Sequence, residues 1–259
     1  MHTAMRMIAE RLRHAELNVA PIAPIRTEVA PNDIDAAYAI QDHATVASLH
    51  AGRRLVGRKI GLTAKSVQRQ FGVDQPDYGM LFADMELSDG DELPQGVLIA
   101  PRVEAEMAFL LGRDLHHPSP TMADVLRAVD AVIPSIEVVD SRIAAWDIRI
   151  VDTIADNASS GRFVLGTEAR SVAGLDLRLA GMVMECKGEP VATGAGAACL
   201  GHPLIAVQWL ARRMVEVGRP LAAGDLVMSG ALGPMVPALA GDWFEARING
   251  IGSVRVAFA

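Results

Sequence analysis

The chain has 259 residues, of which 51% are hydrophobic and 21% are charged. This length is enough to bury a hydrophobic core without the help of a disulfide or a structural metal. The formal net charge of −7 argues against the concentrated basic surface that binds nucleic acid or anionic lipid. No stretch approaches the roughly 20 apolar residues of a membrane-spanning helix. We therefore expect neither a nucleic-acid nor a membrane partner.

The N-terminus and the cysteines indicate the compartment. Arg6, Glu10 and Arg13 fall where a signal peptide would need an unbroken apolar core. The two cysteines, Cys186 and Cys199, belong to no CxxC pair and suit a reducing environment. We predict a cytoplasmic protein in which both cysteines fill small spaces in the core.

The chain begins with two predicted helices. Residues 3–17 carry apolar side chains at helical spacing. The run "PNDIDAAYAIQDHATVASLHAG" predicts a second helix, with Asn32 or Asp33 as its cap and Gly52 at its end. We therefore interpret residues 1–55 as a helical N-terminal region.

The remainder, residues 56–259, is predicted to form a second domain that is rich in short strands. Gly, Pro and Asp interrupt its apolar runs. Two strong helices are predicted within it. One begins after Thr121 and runs up to Pro134, and the other starts at Pro203 and ends before Gly218.

The C-terminal segment has the clearest strand pattern in the chain. Phe244, Ala246 and Ile248 alternate with charged residues, as a half-buried strand requires. The following Asn249-Gly250 pair favours a hairpin with a two-residue loop. Strands and helices do not alternate regularly, so the sequence predicts an α+β protein and not a doubly wound dinucleotide fold.

Three glutamates stand in apolar, strand-like runs. Glu104 and Glu106 in "PRVEAEMAF" are two residues apart, so in a strand they share one face. Glu137 lies in a second such run, "IPSIEVVDSRI". Buried carboxylates repel one another unless a cation joins them, and an all-oxygen ligand set suits Mg²⁺ or Mn²⁺. The alternative is that the pair lies on the solvent face of an edge strand and that Glu137 is unrelated.

Lys59 and Asp77 are candidates for proton transfer. A lysine that is partly desolvated beside a metal would have a lowered pKa and could exchange protons near neutral pH. The alternatives are a solvated lysine in a basic patch with Arg53, Arg54 and Arg58, and an aspartate that merely forms a proline turn.

The loop "TIADNASSG" offers hydrogen-bonding side chains before an apolar run. Asn157 and Ser160 in this loop could hold a carboxylate or orient a water molecule. The same residue types are also common in loops that bind nothing.

A glycine-rich run, "ATGAGAACLGHPL", superficially suggests a nucleotide site. The third position of the dinucleotide fingerprint is Cys199, no strand–helix–strand context precedes it, and the chain has no GK[ST] loop. We therefore expect no nucleotide cofactor. His202, just before Pro203, is predicted to cap a helix.

Taken together, these segments resemble the 2-hydroxypenta-2,4-dienoate hydratase (2-keto-4-pentenoate hydratase) group of the fumarylacetoacetate hydrolase superfamily. The resemblance spans nearly the whole chain, through "AAYAIQ", "GRKIGLT", "VQRQFGVDQPDYGMLFADM", "PRVEAEMAF", "IPSIEVVDSRI", "VDTIADNASSG", "GAGAACLGHPL", "WLARRM", "SGALGPMV" and "GIGSV". It implies a catalytic domain of rolled mixed β-sheets after the helical region, and assembly into homo-oligomers.

The resemblance also implies roles for individual residues. Glu104, Glu106 and Glu137 would ligate Mg²⁺ or Mn²⁺, while Lys59 and Asp77 would handle protons. The segment implied to line the substrate pocket consists of Ser229, Gly230, Ala231 and Leu232. Asn157 and Ser160 are expected as further substrate contacts.

The implied activity is hydration of a 2-hydroxydienoate to a 4-hydroxy-2-oxo acid in the meta-cleavage catabolism of aromatic compounds. A decarboxylase of the same pathway is a candidate partner. One feature keeps an alternative open, because Arg162 has a counterpart in the related 4-oxalocrotonate decarboxylases, whose substrate carries a second carboxylate. A non-catalytic partner subunit is a third reading. The retained charged cluster argues against it, since such a cluster costs folding free energy.

Overall fold

The computed structural model describes residues 2–30 and 32–259. In these residues the α-helices are His2–Asn18 (α1), Ile34–His50 (α2), Lys65–Phe71 (α3), Met122–Ala128 (α4), Ile150–Ala155 (α5) and Pro203–Glu216 (α6). The strands are Leu55–Gly61 (β1), Asp77–Phe82 (β2), Glu86–Leu87 (β3), Glu92–Leu93 (β4), Arg102–Leu111 (β5), Val129–Val139 (β6), Ser160–Leu165 (β7), Gly181–Cys186 (β8), Glu189–Ala195 (β9), Leu226–Met228 (β10), Val236–Pro237 (β11), Trp243–Ile248 (β12) and Gly252–Phe258 (β13).

The strands form two mixed sheets. The larger sheet has the order β2-β1-β10-β5-β6-β7-β3, with β11 paired to β5. The smaller sheet has the order β4-β13-β12-β8-β9. Parallel and antiparallel pairs occur in both, since β1 runs parallel to β10 and β13 runs parallel to β4. The α+β class with mixed sheets is therefore confirmed.

The main hydrophobic core is built from residues of both sheets. Met107 and Ile136 of the larger sheet and Phe244 and Val256 of the smaller one belong to the same buried cluster. On β5 the inward residues alternate with the glutamates, as the sequence pattern predicts. One face of β5 is therefore fixed in the core, and the opposite face is left to carry charged groups.

The N-terminal helices add a second core. Ile8 of α1 and Ile40 of α2 are buried in one cluster with Ile150 and Ile154 of α5. The last three residues of α5, from Thr153 to Ala155, begin the segment that we predicted to be a loop. Asp33 is the cap of α2, because its carboxylate accepts a hydrogen bond from the Ala36 backbone N–H at 2.9 Å. The division at residue 55 stays a prediction.

The helix predicted up to Pro134 is shorter than expected. Thr121 caps α4 as predicted, but the helix ends at Ala128 and Pro134 lies inside β6. The intervening residues include Val132 and Ile133, whose branched side chains favour a strand. They pair with Phe109 and Ala108 of β5, so tertiary pairing outweighs local helical periodicity.

The C-terminal hairpin forms, but its loop differs from the prediction. Ile248 pairs with Gly252, so the loop has three residues, Asn249, Gly250 and Ile251. The Ile251 backbone N–H donates to the Ile248 carbonyl at 3.0 Å, and the Ile251 side chain is buried. Burial of that side chain stabilises the longer loop.

None of the helices in the described residues is long and apolar enough to cross a membrane.

Candidate active site

The pairing of β5 with β6 brings the three glutamates together. Glu104 lies directly opposite Glu137, and Glu106 lies opposite Ser135. Because residues that are opposite one another share a face of the sheet, all three carboxylates project to the same side. One oxygen atom from each carboxylate lies within 4.8 Å of the other two.

These carboxylates are poorly compensated by protein groups. Glu106 is 0% exposed and Glu137 is 1% exposed. The Gly230 backbone N–H donates to Glu106 Oε2 at 2.9 Å, but within the described chain Glu106 Oε1 and both oxygens of Glu137 accept no well-aligned hydrogen bond. This burial excludes the alternative of glutamates on a solvent-facing strand. Buried carboxylate oxygens that accept no well-aligned hydrogen bond are suitable ligands for a hard divalent cation.

The electrostatics of the metal-free cluster agree with this interpretation. Burial, reinforced by the charge of Glu137, raises the pKa of Glu104 to about 7. Burial and the same neighbour raise the pKa of Glu106 well above its usual range. Each proton bound here relieves repulsion between carboxylates, and a divalent cation would relieve the same repulsion.

Lys59 reaches the cluster from β1. It is 3% exposed, and its Nζ lies 3.1 Å from Glu137 Oε1. A solvated lysine is thus excluded. Burial opposes its charge, but the carboxylates of Glu137, Asp77 and the two β5 glutamates outweigh burial and raise the pKa of Lys59. The lowered pKa predicted from the sequence applies to a lysine beside a bound metal, and it stays a prediction.

Asp77 begins β2 and lies beside Lys59. It pairs with Gly61, and Gly79 two residues later pairs with Lys59, so both charged side chains lie on the same face. Asp77 is buried, and burial raises its pKa to about 6. A Cβ atom at Gly61 would lie 2.2 Å from Asp77 Oδ1, so the glycine provides the space for this carboxylate. The aspartate therefore belongs to the cluster and not to a solvent-exposed turn.

The segment Ser229, Gly230, Ala231 and Leu232 runs along β5 next to the carboxylates. Its backbone follows β5, since the Ser229 N–H donates to the Met107 carbonyl and the Leu232 N–H donates to the Ala105 carbonyl. Gly230 has φ of +96°, and a Cβ there would lie 2.4 Å from Thr63 Oγ1. Ser229 and Leu232 are buried, while Ala231 is half-buried.

Cys199 supports this segment. Its thiol is buried and donates to the Gly230 carbonyl at 2.9 Å. Burial raises the pKa of the Cys199 thiol to about 12, so the group remains a neutral donor. Cys199 therefore fills the core, as predicted, and also fixes the loop whose N–H holds Glu106.

Asn157 begins a left-handed turn against β2, and Ser160 follows this turn as the first residue of β7. Asn157, Ala158 and Ser159 all have φ between 51° and 56°, a conformation that costs a non-glycine residue about 1–2 kcal/mol. The Asn157 amide both donates to the Met80 carbonyl at 2.9 Å and accepts from the Met80 N–H at 2.7 Å. Ser160 Oγ donates to the Asn157 carbonyl at 2.8 Å. These contacts place the turn directly over Gly79, next to Lys59.

Sequence reasoning missed the group that holds this turn in place. Arg142 is buried, and its guanidinium pairs with Asp156 and donates to the carbonyls of Asp140 and Ser160 at 2.7 Å each. The Asp156 carboxylate also accepts from the Arg142 backbone N–H at 2.9 Å. An arginine within the apolar run "VVDSRI" was the available signal. Its partner could not be predicted because it lies 14 residues away along the chain.

A second missed residue links the helical region to the site. Gln41 of α2 is buried, and its Nε2 donates to the Tyr78 carbonyl at 2.8 Å and to the Ile154 carbonyl at 3.0 Å. Tyr78 follows Asp77, and Ile154 precedes the left-handed turn by three residues. One side chain of α2 therefore connects both segments.

Arg162 does not face the carboxylates. It pairs with Val138, whereas Glu137 pairs with Phe163. Neighbouring residues of a strand project to opposite faces, so Arg162 lies on the other side of the sheet from Glu137. Its guanidinium donates to the Gly161 carbonyl at 2.9 Å.

Comparison with known proteins identifies the family. The sequence model described as fumarylacetoacetate (FAA) hydrolase C-terminal matches residues 63–259, and the chain belongs to this family. Within it, the similarity is to the hydratase group that the sequence motifs predicted. The chain is 56% identical to the TodF product hydratase of Pseudomonas putida strain F1, with 99% of this chain and 96% of the relative covered.

Two further comparisons agree. The chain is 56% identical to the 2-keto-4-pentenoate hydratase of Paraburkholderia xenovorans strain LB400, over 96% of this chain and 93% of the relative. Its structure matches the 4-oxalocrotonate decarboxylase from Pseudomonas putida G7, complexed with magnesium and adipate, with a TM-score of 0.96. The identity in that match is 37%, over 100% of this chain and 98% of the other.

Proposed function

We propose that the protein is a hydro-lyase that adds water to 2-hydroxypenta-2,4-dienoate (2-keto-4-pentenoate) to give 4-hydroxy-2-oxopentanoate, in the meta-cleavage catabolism of aromatic compounds. The observation that carries the proposal is the buried cluster of Glu104, Glu106 and Glu137 beside Lys59 and Asp77. It occurs in a chain that is 56% identical to a 2-keto-4-pentenoate hydratase over nearly its whole length.

We propose that Glu104, Glu106 and Glu137 hold Mg²⁺ or Mn²⁺. The ligand set consists only of carboxylate oxygens, and three of them, Glu106 Oε1 and both oxygens of Glu137, accept no well-aligned hydrogen bond in the described chain. The similar decarboxylase structure contains magnesium. When bound, such an ion would supply a Lewis acid that stabilises negative charge on the C2 oxygen of the substrate.

Lys59 and Asp77 are assigned to proton transfer. The dienol becomes the conjugated 2-oxo-3-enoate when its enol oxygen loses a proton and C5 gains one. Both residues lie on the same face of the β1–β2 pair and can exchange these protons with the substrate. Water then adds at C4 and gives up one proton while C3 gains one, so C4 receives a hydroxyl group, C3 receives a hydrogen and the two stages together incorporate one water molecule.

The segment Ser229, Gly230, Ala231 and Leu232 is assigned to the wall of the substrate pocket. Its support is the hydrogen bond from the Gly230 N–H to Glu106. Asn157 and Ser160 are assigned to the substrate side of the left-handed turn. The Asn157 amide is already engaged by the Met80 backbone, so its contribution is to hold the turn, and Ser160 is the better candidate for direct contact.

Decarboxylation of a 4-oxalocrotonate-type 2-oxo acid is the second candidate. The close structural match to a 4-oxalocrotonate decarboxylase favours it. Two observations favour hydration instead. Identity to the hydratases is 56%, against 37% to that decarboxylase. Arg162, the cation that suggested a diacid substrate, lies on the opposite face of the sheet from Glu137.

The two candidates are separated by one assay. The protein with Mg²⁺ is incubated with freshly generated 2-hydroxypenta-2,4-dienoate and, separately, with 4-oxalocrotonate. Loss of dienol absorbance and release of CO₂ are followed in parallel. Hydration of the monoacid without CO₂ release supports the proposal, whereas CO₂ from the diacid without hydration of the monoacid contradicts it. A protein that binds no divalent metal and turns over neither substrate would be the non-catalytic subunit.

We further propose a cytoplasmic homo-oligomer that can associate with a decarboxylase of the same pathway. Free cysteines, as Cys186 and Cys199 are in the described chain, suit the reducing cytoplasm. Residues 1–55 and 56–259 are proposed as its helical and catalytic units, joined at the site by Gln41.

A further inference from the structure

A row of charged side chains on β5 leads from solvent to the carboxylate cluster. Arg102, Glu104 and Glu106 are spaced two residues apart and so project from the same face. Glu106 is fully buried, while Glu104 and Arg102 are half-buried. The row therefore runs from a fully buried carboxylate at Glu106 to a partly solvent-accessible cation at Arg102.

Arg102 has no acidic partner. Its guanidinium carbon lies 4.4 Å from the centre of the Trp146 ring. Among the residues that the structure describes, the guanidinium group of Arg102 makes no hydrogen bond and no ion pair. The buried arginines differ in this respect, since Arg58 pairs with Asp225 and Arg142 pairs with Asp156. Its donors are thus available to an anion.

The surrounding loop holds this cation in place. Trp146 Nε1 donates to the Ala100 carbonyl at 2.9 Å. Ala145 and Trp146 have φ of 57° and 55°, a strained conformation that persists only where the neighbouring structure enforces it. The indole is therefore fixed as a platform for the guanidinium.

An anionic substrate needs such a cation at the entrance. The site contains four carboxylates, those of Glu104, Glu106, Glu137 and Asp77, but only one ammonium group, that of Lys59. With all of them ionised, the net charge of the site would stay negative even with a divalent ion bound. Without a cation at the mouth, a carboxylate would be repelled on approach.

We propose that Arg102, held against Trp146, binds the carboxylate of the incoming 2-hydroxydienoate at the mouth of the site. This assignment rests on the proposed function for the identity of the substrate. Arg102 is a substrate-binding residue, and Trp146 is a positioning residue that acts through it. No other described arginine lies on this face of β5.

The first test is kinetic. Arg102→Gln should lower kcat/KM by about tenfold to a hundredfold, the range expected for one hydrogen bond between charged groups, mainly through KM. The kcat/KM of Arg102→Lys should lie between the values of Arg102→Gln and the wild type. The dependence of kcat/KM on ionic strength should become shallower in Arg102→Gln, because steering by the cation is lost. Mg²⁺ affinity should change little.

The chain offers a matched control. The guanidinium carbon of Arg53 lies 4.4 Å from the centre of the Phe82 ring, but Arg53 pairs with Asp84 at 2.9 Å. Arg53→Gln removes an equivalent stack away from the row and should leave kcat/KM unchanged. An equal loss in both variants would indicate a general structural effect and overturn the proposal.

The second test does not depend on turnover. In a variant with Trp209→Phe and Trp243→Phe, Trp146 is the one remaining tryptophan of the sequence and gives all of the tryptophan fluorescence. With Mg²⁺ present, pyruvate should change this fluorescence saturably, and the uncharged ester methyl pyruvate should not. Arg102→Gln in the same background should weaken pyruvate binding at least about tenfold. Equal pyruvate affinity with and without Arg102 overturns the proposal. A response to pyruvate in a protein that fails to hydrate the dienoate would retain this assignment and reject the proposed function.

Discussion

Glu104 on β5 lies directly opposite Glu137 on β6, so two carboxylates that are 33 positions apart in the chain meet across one rung of an antiparallel pair. Glu106, one step deeper on the same face, adds the third. Like charges in such a position destabilise a sheet. Their retention inside the protein is explained if a divalent cation joins them.

The substitution Glu106→Gln should separate stability from function. It keeps an oxygen to accept the Gly230 N–H but removes a charge whose second oxygen has no donor in the described chain. We expect Mg²⁺ affinity to fall by more than about a hundredfold and hydration to be lost. The Tm of the metal-free protein should rise by a few degrees. Isothermal titration and thermal unfolding measure these effects.

The control is Glu168→Gln, since Glu168 is exposed and away from the cluster. It should leave Mg²⁺ affinity, hydration and the Tm unchanged. Unchanged turnover in Glu106→Gln would remove Glu106 from the site.

The metal-free protein should lose stability as pH rises. The pKa of Glu104 in the folded chain is about 7, above its ordinary value of 4.5. Folding therefore favours the protonated form, and this contribution to stability is fully present below pH 4.5 and is lost as pH rises through 7. The pKa of Asp77, about 6, acts in the same direction.

Thermal unfolding between pH 5.5 and pH 8 checks this expectation. Without metal, Tm should fall across the range. Mg²⁺ binds the ionised carboxylates, so it should raise Tm more at pH 8 than at pH 6. A metal-induced shift that is the same at both pH values would argue against the carboxylate ligands.

The substitution Lys59→Met should reduce kcat without loss of the metal. It removes the ammonium that lies 3.1 Å from Glu137 Oε1. General acid–base catalysis by one positioned group accelerates a reaction by about 10²–10⁴-fold, and we expect a decrease in that range. Mg²⁺ affinity should not fall, because a neighbouring cation has been removed. Lys187→Met is the control, since Lys187 pairs with Asp242 on the surface. Weakened metal binding with a normal rate per bound ion would assign Lys59 to the metal and not to proton transfer.

The substitution Gly79→Ala should disturb the left-handed turn. A Cβ atom there would lie 2.4 Å from the Asn157 carbonyl oxygen and 2.7 Å from Ser160 Oγ. The overlap should cost about 1–3 kcal/mol in the free energy of unfolding and lower kcat as well. At Gly181, where a Cβ would have no neighbour within 4 Å, the same substitution should be nearly neutral. Denaturant unfolding compares the two variants, and equal stability would show that the turn can move aside.

The sequence could predict what depends on local pattern. Alternation along β5 predicted that Glu104 and Glu106 share a face, and the caps at Asp33 and Thr121 were correct. Motifs along the whole chain predicted the family. These patterns are either local in the sequence or consist of many motifs along the whole chain, so they can be recognised without knowledge of the tertiary structure.

What escaped prediction depends on contacts between distant segments. The segment after Ala128 is a strand because β5 pairs with it, although its periodicity also fits a helix. The carboxylates of Glu137 and Asp77, which raise the pKa of Lys59 in the absence of a metal, come from other strands, so their positions beside Lys59 could not be predicted. Gln41 and Arg142 were missed for the same reason, since their importance lies in the carbonyls that they reach.

The cluster of Glu104, Glu106 and Glu137 is proposed to hold the metal on which hydration depends. The most direct measurement titrates Mn²⁺ into metal-stripped protein, with bound Mn²⁺ followed by electron paramagnetic resonance and loss of 2-hydroxypenta-2,4-dienoate followed by absorbance in the same samples. We expect a hydration rate that rises in proportion to bound Mn²⁺ and saturates at one ion per chain, with neither bound Mn²⁺ nor hydration in Glu106→Gln. Full hydration by the metal-stripped protein, or one bound ion per chain in Glu106→Gln with undiminished affinity, would contradict it.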